Sequence, residues 1–296
     1  MTFDSDFCMS SQRRFDPWIG LLVGLIAAPL AAGFVFMLLY STGLIGLLAT
    51  GFTLRYWNHV LVDGQTWMTL TYSALLGSAS LGASLALALA LQAALGDRLR
   101  AGALRGLLFL PLAVPPLVAA LLSVQMLGNA GLLSRLAHAV GLVARPEDFP
   151  TILYSSVGLG IVVTHVMLVT PFLLLLLDRL ARHALLSDLA QVARTLGASS
   201  WQTWRRICLP VLLRASAPVL SVYFVALMGA YEVPLLVGAQ YPPMISVLIQ
   251  RRFSQFDLAT RPEAYVLAIL YASLATGLLL MLFASRGRRD AREGEA

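Results

Sequence analysis

The chain has 296 residues, a formal net charge of +6, 58% hydrophobic residues and only 12% charged ones, about half the charged fraction of an ordinary soluble domain; this excludes a water-soluble globule and points to a membrane protein. All 21 basic residues are arginine, so there is no lysine to serve a phosphate loop, a Schiff base or general-base catalysis, and any energy the protein uses must be released on another chain. Two cysteines, Cys8 and Cys208, exclude a disulfide framework or a four-cysteine zinc site, and the histidines at 59, 138, 165 and 183 form no HExxH pair.

A bilayer core of roughly 30 Å requires about 20 mainly apolar helical residues. Charge-free windows run from Pro17 to Leu54, Gly64 to Gly96, Gly106 to Ser134, Phe149 to Leu177 and Ala264 to Ser285, and one more from Ala215 to Gln250 is interrupted only by Glu232. They predict six spans, over about 18–41, 67–95, 104–127, 154–177, 213–237 and 264–284. In the first, Arg13 and Arg14 precede a run longer than a signal-peptide core and five more spans follow, which favours an uncleaved anchor. A semi-polar outer segment, Thr50 to Trp57, follows it. The third contains Pro111, Pro115 and Pro116, which must interrupt its hydrogen-bond ladder. Tyr72 and Ser73, Thr164 and His165, and Ser221 and Tyr223 suit interhelical hydrogen bonds better than an aqueous path.

Six spans put both termini on one side. Fifteen arginines lie on that side and six on the other, so the positive-inside bias makes the termini cytoplasmic and leaves both cysteines in a reducing compartment as free thiols. The arginines flank spans instead of clustering on one face, so nucleic acid is not an expected partner; membrane lipid is. No connection is long enough for a soluble domain, and residues 1–296 read as a single membrane domain.

The loop between spans four and five, within 185–210, is the most specific text in the chain. Ser187 can cap a first helix carrying Leu189, Val192, Ala193 and Leu196 on one stripe, and Gly197 supplies the left-handed end. Ser199 and Gln202 form a capping-box pair opening a second helix, with Trp201, Trp204, Ile207 and Cys208 on its apolar side, before Pro210 resets the chain for span five. An amphipathic elbow resting on the membrane surface would show the same features.

Here the order of residues resembles the inner-membrane permease subunits of binding-protein-dependent (type I) ABC importers. Their signature, EAA, three variable residues, Gly, then about nine residues to Ile-x-Leu-Pro, falls on Gln191, Val192, Ala193, Gly197 and Ile207-Cys208-Leu209-Pro210, with Gln191 and Val192 replacing Glu and Ala. The resemblance implies an all-α membrane protein of six transmembrane helices with a cytoplasmic helix-turn-helix coupling loop. It further implies that Gln191, Val192, Ala193, Gly197, Ile207, Leu209 and Pro210 couple to ATPase subunits, that ATP is used there and not here, and that a second permease subunit and an extracytoplasmic solute-binding protein complete the assembly. The chain is therefore not expected to be an enzyme.

Glu232 is the only acid within a predicted span, placed about 28 Å along span five by a rise of roughly 1.5 Å per residue. Tyr231, Glu232 and Pro234 are thus candidates for the outer mouth of a solute path, where a carboxylate favours a cation such as a polyamine. The surrounding Tyr-Glu-Val-Pro-Leu-Leu-Val-Gly segment is similar to that of the spermidine/putrescine, iron(III) and thiamine group of these permeases, which implies a second permease subunit encoded separately. Arg251 and Arg252, in the last outer loop, are candidates for docking an acidic patch of the binding protein. The rival reading, an ion-coupled secondary transporter, requires midplane carboxylates and a broken-helix repeat, and neither is found.

Overall fold

The structure, a computed structural model, describes residues 17–46, 49, 51–95 and 102–293; Cys8, Arg13, Arg14, Arg98 and Arg100 lie outside them. Among the described residues every regular element is helical, and six stretches are long and apolar enough to cross a membrane.

Helix α1 (Pro17–Ser41) is apolar on all sides. It touches the rest of the protein through its last turns, where Phe36 and Tyr40 meet Tyr265 with ring centroids 6.1 and 4.8 Å away. Gly20 and Gly24 face open space, so that spacing makes no close helix contact here. Short α2 (Arg55–Val62) turns at Asp63 into α3 (Gly64–Leu95), and the Asp63 carboxylate accepts the Gln65 N–H at 2.9 Å.

The buried side of α3 carries Thr66, Thr69, Ser73, Gly77, Ser80, Ser84 and Ala88, small residues three and four apart, together with the larger Leu70, Leu76 and Gln92. In a membrane, helices associate by close packing more than by expulsion of water, and small residues allow it. A Cβ on Gly77 would stand 3.2 Å from the Met228 backbone nitrogen, so glycine there sets how near the fifth crossing can approach.

The third crossing is broken as the prolines require. Helix α4 (Gly102–Leu112) stops before Pro115, and α5 (Pro116–Leu127) starts afresh with proline in its first turn. Apolar length alone would also admit Pro116–Ala139. The chain turns aside at Gly128–Gly131, however, and α6 (Leu132–Ala139) carries Arg135 and His138. We therefore read the crossing as α4 and α5 in series.

Helix α7 (Leu159–His183) lies at the centre, packed most extensively on α3 and also on α4, α5 and α10. Its Val169, Leu173, Leu174 and Leu177 form one core with Ala88, Leu186 and Leu212. Ile161 joins a second with Leu76, Ala120, Leu127 and Leu153. After α8 (Leu186–Thr195) and α9 (Ser200–Thr203), the fifth crossing is α10 (Leu209–Met228). It ends nine residues short of the expected 237. Gly229 lies under Tyr271, whose hydroxyl donates to the Val225 carbonyl at 2.7 Å, and a Cβ on Gly229 would collide with it. The chain restarts as α11 (Glu232–Val237), followed by α12 (Ile245–Phe253) and the long α13 (Arg261–Glu293).

Some polar residues inside the spans join helices, whereas Ser221 bonds within its own helix and the Tyr72 hydroxyl has no partner among the described residues. Thr164 Oγ1 donates to Ser123 Oγ at 2.9 Å, His165 Nδ1 lies 3.3 Å from Ser80 Oγ, and Ser73 Oγ accepts the Ile245 N–H at 2.8 Å. Tyr223 stacks on Phe172 at 4.6 Å.

Candidate functional site

The elbow between α7 and α10 is built from local rules. Leu185, in the left-handed region at φ +48°, breaks the chain sharply after α7. Ser187 is therefore not the cap expected from the sequence: it lies inside α8, its hydroxyl donating to Asp188 at 3.1 Å. At the other end Gly197 adopts φ +88°; its N–H donates to Arg194 O and the Ala198 N–H to Ala193 O, both at 3.0 Å. This paired closure is a Schellman ending, which demands a left-handed residue at Gly197. Ser199 then accepts the Gln202 N–H at 3.2 Å while the Gln202 side chain accepts the Ser199 N–H at 3.0 Å, the reciprocal cap expected there.

The second half of the elbow is not separated from span five. Pro210 has no N–H to give the Arg206 carbonyl, and the ladder responds with a π-turn over Trp204–Cys208 that runs without a break into α10. Pro210 thus shifts the hydrogen-bond register, whereas the sequence reading had it reset the chain. Leu209 and Pro210 form the first turn of α10, and Ile207 and Cys208 are half-buried just before it. Trp204 and Cys208 pack against the core that contains Leu177, Leu186 and Leu212, so a displacement of the elbow reaches α7 and α10 together.

The outward side of α8 is apolar and unmatched. Leu186 and Ala193 are buried, but Leu189 is 47% exposed, Val192 58% and Leu196 83%, with Trp201 beyond them at 67%. Gln191 is exposed on a different side of the same helix. Around this surface Arg179, Arg182, Arg194, Arg205 and Arg206 are all exposed. Arg182 also pairs at 2.8 Å with Asp178, which is 4% exposed and would otherwise be a buried lone charge.

At the opposite end of the spans, α11 packs on α5 and α7. Val233, Pro234 and Val237 are buried, Tyr231 is half-buried, and Glu232 is exposed with no ion pair among the described residues. The helix is fixed by Tyr154 N–H donating to Val237 O at 3.0 Å and by Ser246 Oγ donating to Ala230 O. Glu232 therefore opens a separate short helix beyond the end of α10, where the expectation had it inside span five.

The two outer arginines differ. Arg251 is exposed and donates to Gln240 O at 2.8 Å. Arg252 is 9% exposed. Its guanidinium bridges Asp63 at 2.5 Å and Glu263 at 3.1 Å, and His59 Nδ1 meets the other Glu263 oxygen at 2.8 Å. This cluster joins α2, α12 and α13 and engages both terminal nitrogens of Arg252 in ion pairs, so Arg251 is the freer of the two candidate docking arginines. Burial pushes the Asp63 carboxyl up, but the Gln65 N–H and Arg252 outweigh it and hold the group below the usual carboxylate range. The sequence offered one signal for the clamp: Asp63 and Glu263 each stand at the edge of a span. Among the described residues no cluster of His, Cys, Asp and Glu could hold a metal ion.

The fold is shared with a bacterial ABC transporter involved in the import of the acidic polysaccharide alginate, at TM-score 0.66 and 18% identity over 93% of both chains, and with the same transporter type in complex with an alginate-bound periplasmic protein at 0.63 and 19%. In sequence the chain is 31% identical to the molybdenum transport system permease protein ModB of Mycobacterium tuberculosis over 54% of this chain and 56% of that one. It is 26% identical to ModB of Azotobacter vinelandii over 62% and 77%, and 26% identical to the probable sulfate transport system permease protein cysT of Chlorella vulgaris over 59% and 62%. The match thus spans little more than half of the first of these relatives. The family described as the binding-protein-dependent transport system inner membrane component matches residues 82–289, which takes in the elbow, α11 and the Arg252 and Glu263 side of the outer clamp, and the chain belongs to that family.

Proposed function

We propose that this chain is the membrane subunit of an ATP-driven importer, forming the solute path while ATPase subunits bound at the elbow supply the energy. The observation that carries this reading is the unmatched apolar side of α8, held by the Gly197 ending and the Ser199 cap and continuous through the π-turn with α10. A large apolar surface at a span end, framed by arginines, is a docking surface for protein. A rigid elbow fused to a crossing converts partner motion into movement of that crossing. The arginine distribution supports a cytoplasmic elbow and cytoplasmic termini. A second permease subunit completes the path, and a solute-binding protein docks on the outer side, where Arg251 is the freer candidate contact.

For the solute, the named relatives transport molybdenum and sulfate, which favours an oxyanion. The case for a polyamine rested on Glu232 and the segment around it, and these relatives lend it no support. Glu232 then acts at the gate beside Tyr231 and Pro234, and not as a cation trap. The test is uptake in proteoliposomes holding this chain with its ATPase, second permease and binding protein. Labelled molybdate and sulfate should enter with ATP and spermidine should not. Spermidine uptake abolished by Glu232→Gln would restore the cation reading.

A further inference from the structure

Beneath the elbow lies a cavity of about 730 Å³, between the end of α3, the inner side of α8 and the π-turn entering α10. Its lining is graded in polarity. Leu95 and Leu212, at span ends, are apolar, whereas Ser187, Gln191 and Arg194 on α8 are polar. Two indoles, Trp201 and Trp204, complete the wall. Arg194 is the single charged group in the lining; its Nε donates only to its own helix, at Ala190 O, 3.3 Å away, and no carboxylate pairs with it among the described residues. Gln92 also lines the cavity, is 9% exposed, and its Oε1 has no hydrogen-bond partner. An unpaired buried amide oxygen is costly.

We propose that this cavity holds the head of one phospholipid. Its phosphodiester is bound by Arg194, a hydroxyl or ammonium donor on the headgroup satisfies the Gln92 carbonyl, and the acyl chains leave past Leu95 and Leu212. Three features select an amphiphile of this kind. The cation matches phosphate. The unpartnered acceptor calls for a donor on the same molecule. The site lies where spans end and headgroups begin, the level at which indoles collect and basic pockets hold lipid heads. Phosphatidylglycerol and phosphatidylethanolamine carry both groups, whereas phosphatidylcholine has no N–H or O–H to give. On the 3.6-residue period, the cavity residues of α8 lie opposite Leu189, Val192 and Leu196. A lipid can therefore brace α8 from within while its outer side remains free for a partner; the inference rests on the elbow reading above only for that consequence.

The full chain purified in detergent is titrated with each lipid and examined by native mass spectrometry. One tightly retained phosphatidylglycerol or phosphatidylethanolamine is expected, favoured over phosphatidylcholine by about tenfold, the scale of one charge-assisted or otherwise unmet hydrogen bond. Arg194→Gln and Gln92→Leu should each lower that retention by about tenfold, while Arg205→Gln, outside the cavity, leaves it unchanged. Arg194 is exposed, so its variant folds even if Gln92→Leu does not. Equal retention of phosphatidylcholine, indifference to Arg194→Gln, or displacement of the lipid by inorganic phosphate would overturn the proposal. Val192→Glu separates the two readings: it should keep the selective lipid while losing the ATPase. Selective lipid retention without any ATPase binding to the unaltered chain would fail the function and leave the cavity site standing.

Discussion

Replacing Gly197 isolates backbone geometry as the cause of elbow rigidity. The residue sits at φ +88°, and a Cβ built there meets nothing within 4 Å, so a substitution adds no collision within this chain and its effect is the left-handed penalty alone. That penalty is about 1–2 kcal/mol for alanine, smaller for asparagine, which visits this region, and larger for a β-branched residue. If the Schellman ending must be closed for the ATPase to bind, the loss in apparent affinity reaches at most about 5–30-fold for Gly197→Ala, less for Gly197→Asn and more for Gly197→Val. The assay is surface-captured permease titrated with the purified ATPase subunit, with thermal unfolding as a control for global damage. A flat series, or Asn as harmful as Val, would refute the argument from φ.

Val192→Glu or Leu196→Glu, on the exposed side of α8, should abolish co-purification of the ATPase while leaving the unfolding midpoint within a degree or two, as expected for surface changes. Arg252→Met removes the cation between Asp63 and Glu263, leaving Glu263 with His59 and Asp63 with the Gln65 N–H. Because all three side chains keep some water contact, at 11–24% exposure, the cost falls at or below the roughly 3–5 kcal/mol of a fully buried broken pair. A midpoint drop of several degrees in detergent is expected, and Asp63→Asn combined with it should recover part of the loss. Acid should weaken the same clamp. The Asp63 pKa is lower folded than unfolded, so its contribution is complete above the ordinary carboxylate value near ~3.9 and disappears as pH falls through the lowered value. Asp63→Asn should flatten the acid limb of the stability–pH curve, and an unchanged limb would place the sensitivity elsewhere.

What was legible in the sequence was whatever local chemistry decides. Pro115 and Pro116 announced the break between α4 and α5, although Pro111 is carried inside α4, and Gly197 with the Ser199–Gln202 pair announced the elbow, because each acts on its own backbone within a few residues. What was not legible depends on contacts between distant residues. The approach of Tyr271 to Gly229 is a contact of this kind, whereas Pro234, with no N–H for the Ala230 carbonyl, was a local sign that the helix does not continue unbroken. Arg252 looked like a surface arginine because its partner Asp63 is 189 positions away. The Ser187 cap was displaced by a left-handed Leu185, a conformation leucine's own preferences do not suggest. Pro210 marked a helix boundary on local rules, yet the chain absorbed it as a π-turn. The choice of solute is hardest to read, since one exposed carboxylate on a short helix does not fix the charge of what passes it.

On the proposed function, this chain moves solute only with power borrowed through the elbow. The direct measurement is solute uptake into proteoliposomes prepared with and without the ATPase subunits, at matched amounts of permease and binding protein. Uptake should require both the ATPase and hydrolysable ATP and should be eliminated by Val192→Glu. Concentrative uptake by the permease with no nucleotide-hydrolysing subunit present would contradict it.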